Sequence, residues 1–145
     1  MKDKVKVVCP DCGATNNFPL DHKGKKVVCG RCKSILPEPG TVIEPQPNQI
    51  GNLFQNSHLP VLVDFYSPTC APCHMMSPVV EALARRKAGE LMVLKINVDQ
   101  NPQTAAQFAI LGVPTFVIVF NGHERGRTSG AMSEADLALW VASRI

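Results

Sequence analysis

The hydrophobic pattern changes period several times along the chain, and each change marks an element. Val61-Leu62-Val63-Asp64-Phe65-Tyr66 is an apolar run of strand length interrupted by one carboxylate. Beyond Ser67-Pro68-Thr69, apolar residues recur at three- and four-residue steps: Met75, Met76, Val79, Val80, Leu83 and Ala84. That spacing predicts a helix with one buried face. Leu91 to Asp99 reads as a second buried strand. Asn101 to Ala109 reads as a helix, with Pro102 tolerated at its first position. Val113 to Phe120 is a third strand, and Asn121-Gly122 predicts a tight hairpin turn. The chain then returns over Glu124 to Thr128, whose charges discourage edge pairing. Ser133 caps the last helix, with Asp136 three residues on and Leu137, Trp140 and Val141 as its apolar face. Upstream, Ile50 to Ser57 predicts a short helix leading through His58, a surface residue, into the strand at Val61. Strand, helix, strand, helix, hairpin and helix predict an α/β fold with a mixed central sheet flanked by helices.

The first forty residues follow another rule. Cys9-Pro10-Asp11-Cys12-Gly13 and Cys29-Gly30-Arg31-Cys32-Lys33 are two similar turns, spaced C-x2-C-x16-C-x2-C. Each C-x-x-C turn can direct two sulfurs at one point, and two turns complete a tetrahedron. Gly13 and Gly30 are expected to let the backbone bend round the metal. Asn17 to Leu20 and Lys26 to Val28 read as short strands around the turn at His22 to Lys25, with His22 solvated. A segment of about 40 residues buries little apolar surface, so a metal staple is expected. The competing readings are a second redox pair or surface disulfides. The expectation is one structural Zn2+ per chain, held by Cys9, Cys12, Cys29 and Cys32. Residues 1–36 are thus read as a zinc ribbon, 37–48 as a proline-rich linker that includes a short first strand at Val42-Ile43, and 49–145 as the main domain.

The third pair, Cys70 and Cys73, stands between the strand ending at Tyr66 and the helix that follows. A thiol in the first turn of a helix meets free N–H groups and the positive end of the helix dipole, which stabilise its thiolate. Two thiols so spaced, one of them activated, form a dithiol–disulfide couple. The alternatives are half of a metal site or inert core thiols. Asp64, a carboxylate in an apolar strand, would have its pKa raised by desolvation; otherwise its strand is half exposed and it faces water. His74 reads as a solvated first-turn residue.

Val61 to Pro78 resembles thioredoxins, whose active site is usually written WCGPC; here it reads Thr69-Cys70-Ala71-Pro72-Cys73. The order of elements over residues 41–145 matches that family. The cysteine turns before it resemble those of bacterial thioredoxins with an N-terminal zinc ribbon, the thioredoxin 2 type. The resemblance implies a thioredoxin fold preceded by a zinc ribbon, and reduction of protein disulfides. Cys70 is then the nucleophile and Cys73 the resolving thiol. Asp64 acts as proton acceptor and donor for Cys73, with Lys95 beside it as charge partner. Pro114 matches the family's cis-proline and Val113 the residue whose backbone pairs with substrate. Gly112, Gly130 and Ala131 match the rest of the groove, with Thr69 in place of the tryptophan. Pro78 matches the proline that kinks the long helix. The implied electron donor is a flavin-dependent thioredoxin reductase drawing on NADPH. This chain has no G-x-G-x-x-G after a strand, so no bound flavin or nicotinamide is expected.

Composition narrows the picture a little further. Hydrophobic residues make up 45% of the 145, enough for one proper core. The net charge of +3 is uneven: residues 1–40 carry eight Lys/Arg against four Asp/Glu, and residues 41–145 carry seven against eight. Four thiolates on one zinc would halve the excess in the first segment, too little basicity to imply nucleic acid. The alternating charges of Met1 to Val8 lack the apolar core of a signal peptide, and no run reaches the length of a membrane span. A cytoplasmic monomer acting on disulfide-containing proteins is the expectation. Two alternatives are weighed beside it: a module whose ribbon docks a protein or nucleic acid, and a disulfide oxidase or isomerase of high potential.

Overall fold

The computed structural model describes residues 4–145. Of the charged N-terminal stretch, residues 1–3 lie outside the described residues. Two sheets are present. The first is an antiparallel pair of β1 (Lys4–Val8) and β2 (Thr15–Pro19). The second has five strands: β3 (Val42–Ile43), β4 (Val61–Tyr66), β5 (Met92–Asn97), β6 (Thr115–Phe120) and β7 (His123–Ser129), in the spatial order β3-β5-β4-β6-β7. β3 and β4 run parallel to β5, while β6 runs antiparallel to both β4 and β7, so the sheet is mixed.

Four helices cover this sheet: α1 (Ile50–Asn56), α2 (Ala71–Arg86), α3 (Pro102–Gln107) and α4 (Glu134–Ala142). β4 is buried at all six positions because helices close over both faces of the sheet, which is why its sequence does not alternate. On one face, Leu62, Val93, Phe116 and Ile118 pack under Met76, Val80 and Leu83 of α2 and Leu137 and Val141 of α4. On the other, Val63, Phe65, Leu94 and Val117 pack with Ile50 and Leu53 of α1. Ser133 caps α4 as expected, its Oγ accepting the Asp136 N–H at 3.1 Å.

The short sheet is built differently from the expectation. Lys26 to Val28 is not a strand beside Asn17 to Leu20. β2 pairs instead with β1, and Val28 makes one bridge to Ile35. The cause is the cysteine turns themselves. Each reverses the chain, so residues flanking the same turn meet: Val8 with Thr15 round the first, Val28 with Ile35 round the second. The two turns share main-chain bonds at equivalent positions. Gly13 N–H donates to the Cys9 carbonyl at 2.9 Å, and Lys33 N–H to the Cys29 carbonyl at 3.0 Å. The left-handed residue closing each turn is Gly13 (φ 79°) in the first but Lys33 (φ 69°) in the second. Gly30 does not hold a positive φ; its N–H donates to Asn16 Oδ1 at 2.9 Å.

The ribbon is docked on the larger sheet. Val8 lies in the same core cluster as Ile50, Leu53 and Val61. Asn52 Nδ2 donates to the Pro10 carbonyl at 2.9 Å, Gln49 Nε2 to Asp11 Oδ1 at 2.7 Å, and Thr15 Oγ1 bonds His58 Nε2 at 3.1 Å. Gly13 faces this contact so closely that a Cβ there would come within 2.9 Å of Asn56 Nδ2. His22 is not simply solvated: its ring meets Phe18 edge-on and its Nε2 lies 2.8 Å from Glu38.

Candidate active site and metal centre

The two cysteine turns bring four sulfurs together. The Sγ atoms of Cys9, Cys12, Cys29 and Cys32 all lie within 4.8 Å of one another. Cys9 and Cys32 are 3.5 Å apart, Cys12 and Cys29 3.6 Å. Four sulfurs on one zinc at about 2.3 Å stand about 3.8 Å from each other along the edges of a tetrahedron. The donor set therefore fits a tetrahedral thiolate metal site. Donors are already aimed at one of the sulfurs. Cys32 N–H, Asn16 and Arg31 N–H draw the Cys29 thiol down to about 6. Burial pushes Cys9 up to about 12, and a bound dication would reverse that by replacing its proton.

About 40 residues further on, the chain leaves β4 through Ser67-Pro68-Thr69 and enters α2 with Cys70 as the N-cap. Cys70 Sγ accepts the Cys73 N–H at 3.2 Å, as a capping side chain does. Cys70 is part-exposed, while Cys73, three residues inside, is buried at 3% exposure. The two are joined as a disulfide. Only one of the sulfurs thus faces an incoming molecule, and it is the one aimed at by an unpaired helix N–H. The loop before it is tied down by polar contacts. Ser67 Oγ donates to Asp99 at 3.1 Å and lies 3.2 Å from Thr69 Oγ1. His74 is more than a solvated residue: its Nε2–H donates to the Pro68 carbonyl at 2.6 Å.

Asp64 faces protein, not water. It is 1% exposed, and its Oδ1 has no hydrogen-bond partner. Burial raises its carboxyl to about 7, against the pull of Lys95. Lys95 stands opposite Asp64 in the parallel register of β4 and β5. Its Nζ lies 3.3 Å from Ser77 Oγ and 4.4 Å from the centre of the Tyr66 ring. Tyr66 in turn donates its hydroxyl to Glu44.

Of the remaining expected residues, Val113 stands beside Cys70. The Val113–Pro114 peptide is cis, and the Val113 carbonyl oxygen lies 3.8 Å from Cys70 Sγ. The strand starts only at Thr115, whose Oγ1 donates to the Gly112 carbonyl at 2.6 Å. Gly130 N–H donates to the Pro114 carbonyl at 3.0 Å. Ala131 and Thr69 are exposed. Leu111, entirely exposed, and Met75, at 69%, add apolar surface to the segments that flank the disulfide. Sequence reasoning passed over Leu111 because a lone apolar residue in a loop has no periodicity. It also passed over Asn16 and Ser77, whose roles depend on contacts across the fold.

Comparison with known proteins agrees with this geometry. The thioredoxin family model matches residues 41–143. Thioredoxin C-3 of Corynebacterium nephridii is 33% identical over 141 residues, covering 96% of this chain and 94% of that protein. The thioredoxin of Haemophilus influenzae is 39% identical over 90 residues, 62% of this chain and 84% of that protein. That of Porphyra purpurea is 44% identical over 82 residues, 57% of this chain and 77% of that protein. The long match to the first covers the four-cysteine segment as well as the disulfide. With its mixed sheet, its flanking helices and a disulfide at the start of α2, the chain belongs to the thioredoxin family and is a thiol–disulfide oxidoreductase that reduces protein disulfides.

Proposed function

We propose that the chain reduces protein disulfides through Cys70 and Cys73. The observation that carries this assignment is the part-exposed Cys70 sulfur, capped by the Cys73 N–H, with Cys73 buried behind it. The Cys70 thiolate attacks one sulfur of a substrate disulfide. That S–S bond breaks, a mixed disulfide forms, and the first substrate sulfur leaves as a thiolate. Cys73 gives its proton to Asp64 and attacks the Cys70 sulfur. The second substrate sulfur leaves, two electrons have passed to the substrate, and the Cys70–Cys73 disulfide remains. A carboxyl raised to about 7 is half ionised near neutrality, which suits Asp64 to accept that proton and later return it. Lys95 contributes charge beside it. Thioredoxin reductase, drawing on NADPH, restores the dithiol.

The substrate lies along Val113, Pro114, Gly112, Gly130, Ala131 and Thr69. The Val113 main chain offers its peptide groups to an extended segment, in the manner of strand addition. Cys9, Cys12, Cys29 and Cys32 hold one zinc ion, which supplies a structural cross-link in a segment otherwise short of core. Such a site needs reduced cysteines, as a cytoplasmic location provides. Residues 1–36 then form the ribbon, 37–48 the linker carrying β3, and 49–145 the catalytic part of a monomer.

Insulin reduction with dithiothreitol tests the proposal. The chain should accelerate precipitation of the insulin B chain, and Cys70→Ser should abolish the acceleration. An unaccelerated reaction with the wild-type chain would overturn it.

A further inference from the structure

One polar cluster carries more than the dithiol chemistry requires. Lys95, half-buried, and Asp64, fully buried, are cross-strand neighbours of opposite charge, yet they are not among the ion pairs within 4.0 Å of the described residues. The ammonium is engaged elsewhere. It donates to Ser77 Oγ at 3.3 Å and sits over the Tyr66 ring at 4.4 Å, a cation–π distance. Tyr66 is itself fixed by its hydroxyl bond to Glu44. Asp64 Oδ1 is left buried and unpartnered. A cavity of about 20 Å³ lies among Asp64, Ser77, Glu81 and Lys95, enough for one water molecule.

We propose that Ser77 and the Tyr66 ring form a holder that keeps the Lys95 ammonium off the Asp64 carboxyl, making Ser77 a positioning residue for the proton transfer. The inference rests on the assignment of that transfer to Asp64. The physical reason is a competition for one cation. A lysine drawn fully onto a buried carboxylate stabilises the ionised form, and such pairing lowers a carboxyl by about 1–3 pH units. A proton acceptor that has become a permanent carboxylate can no longer return its proton near neutral pH. A lysine removed altogether would leave desolvation unopposed and the carboxyl protonated. Holding the cation at an intermediate place keeps Asp64 between the two.

The groups facing Asp64 from the packed elements are few. β5 contributes Lys95, α2 contributes Ser77 and the exposed Glu81, and the Tyr66 hydroxyl, two residues along β4, lies within electrostatic reach of the carboxyl. β3 contributes Val42, and the β6 neighbour in register is Phe116, both apolar. Lys95 is the one cation among these neighbours, and it is the charge that the Ser77 hydroxyl holds. Ser77 precedes Pro78 in α2.

The test is the titration of Asp64 followed by carboxyl-carbon NMR on the oxidised chain, with the pH profile of insulin reduction measured alongside. Ser77→Ala should lower the Asp64 midpoint by about one pH unit. Ser77→Thr, which keeps the hydroxyl, should restore it. Adding Lys95→Met to Ser77→Ala should raise the midpoint above that of the wild type. A midpoint that is unchanged or higher in folded Ser77→Ala overturns the holder, as does a double variant that titrates like Ser77→Ala alone. Should Asp64→Asn turn over normally while the midpoint still falls in Ser77→Ala, the holder stands and the proton-transfer role of Asp64 fails.

Discussion

Cys70 Sγ accepts the main-chain N–H of Cys73 at 3.2 Å, so the resolving residue also helps to activate the attacking one. The contact comes from backbone, which no side-chain substitution at Cys73 removes. Cys73→Ser should therefore keep a reactive Cys70 while losing the thiol that resolves the mixed disulfide. Disulfide-linked adducts with substrate should accumulate and be visible on non-reducing gels. Cys70→Ser leaves only the buried sulfur and should trap far less. Equal trapping by the two variants would reverse or erase the assigned roles.

Asp64 links the site to stability. Burial raises its carboxyl from 3.8 to about 7. Between about pH 4 and pH 7 the native state holds a proton that the unfolded chain has lost. Stability therefore falls as pH rises through that window, and the whole penalty is present above it. Asp64→Asn removes the titrating group and keeps the shape. It should be more stable than wild type at pH 8 by on the order of 4 kcal/mol, with little gain at pH 4, and turn over more slowly. Urea unfolding at the two pH values checks this. The same gain at both would locate the effect in packing, not ionisation.

Much of this was legible in the sequence, and the limits are instructive. The apolar runs of β4, β5 and β6 announced themselves because both faces of the sheet are covered. Cysteine spacing marked the four-sulfur cluster and the disulfide pair. The pairing inside the ribbon was not legible, because strands of five residues are too short for alternation to choose a partner; the turns chose it instead. Nor could Lys33 be picked as the left-handed residue of the second turn, since lysine seldom takes that conformation. Val8 reads as ribbon in sequence but sits in the core of the larger sheet, a contact between distant segments. The ties of Lys95 to Ser77, and of His74 to Pro68, belong to the same class.

The position of Val8 gives metal removal a distant effect. Val8 is adjacent to Cys9 and packs with Ile50 and Leu53 of α1. Native mass spectrometry should find one zinc per chain that survives Cys70→Ser and is lost on Cys29→Ser. Hydrogen exchange should then quicken not only in β1 and β2 but also in α1, because the core loses a buried valine when the ribbon opens. Loss of zinc on Cys70→Ser would mean that the cysteines are paired differently. Unchanged exchange in α1 would mean that docking does not depend on the metal.

Ala71 and Thr69 mark where this chain departs from the usual active-site motif, and they should act on different quantities. Ala71 is the first residue of α2. Alanine favours a helical turn over glycine by roughly 0.5–1 kcal/mol, and about 30 mV corresponds to about 1.4 kcal/mol for this two-electron couple. Most of that preference cancels if the turn persists in both redox states. The potential should then lie within ~20 mV of the thioredoxin value of about −270 mV, and Ala71→Gly should move it little. Thr69 is exposed and small, and through Ser67 it belongs to a loop anchored on Asp99. A tryptophan there would add contact area beside the nucleophile. Thr69→Trp should accordingly alter KM among protein substrates while leaving the potential and the reaction with small disulfides nearly unchanged. Equilibration against glutathione gives the potential, and insulin beside a small aromatic disulfide gives the substrate range. A wild-type potential above about −200 mV would belong with the glutaredoxins and isomerases, and the chain would then not be a general reductant.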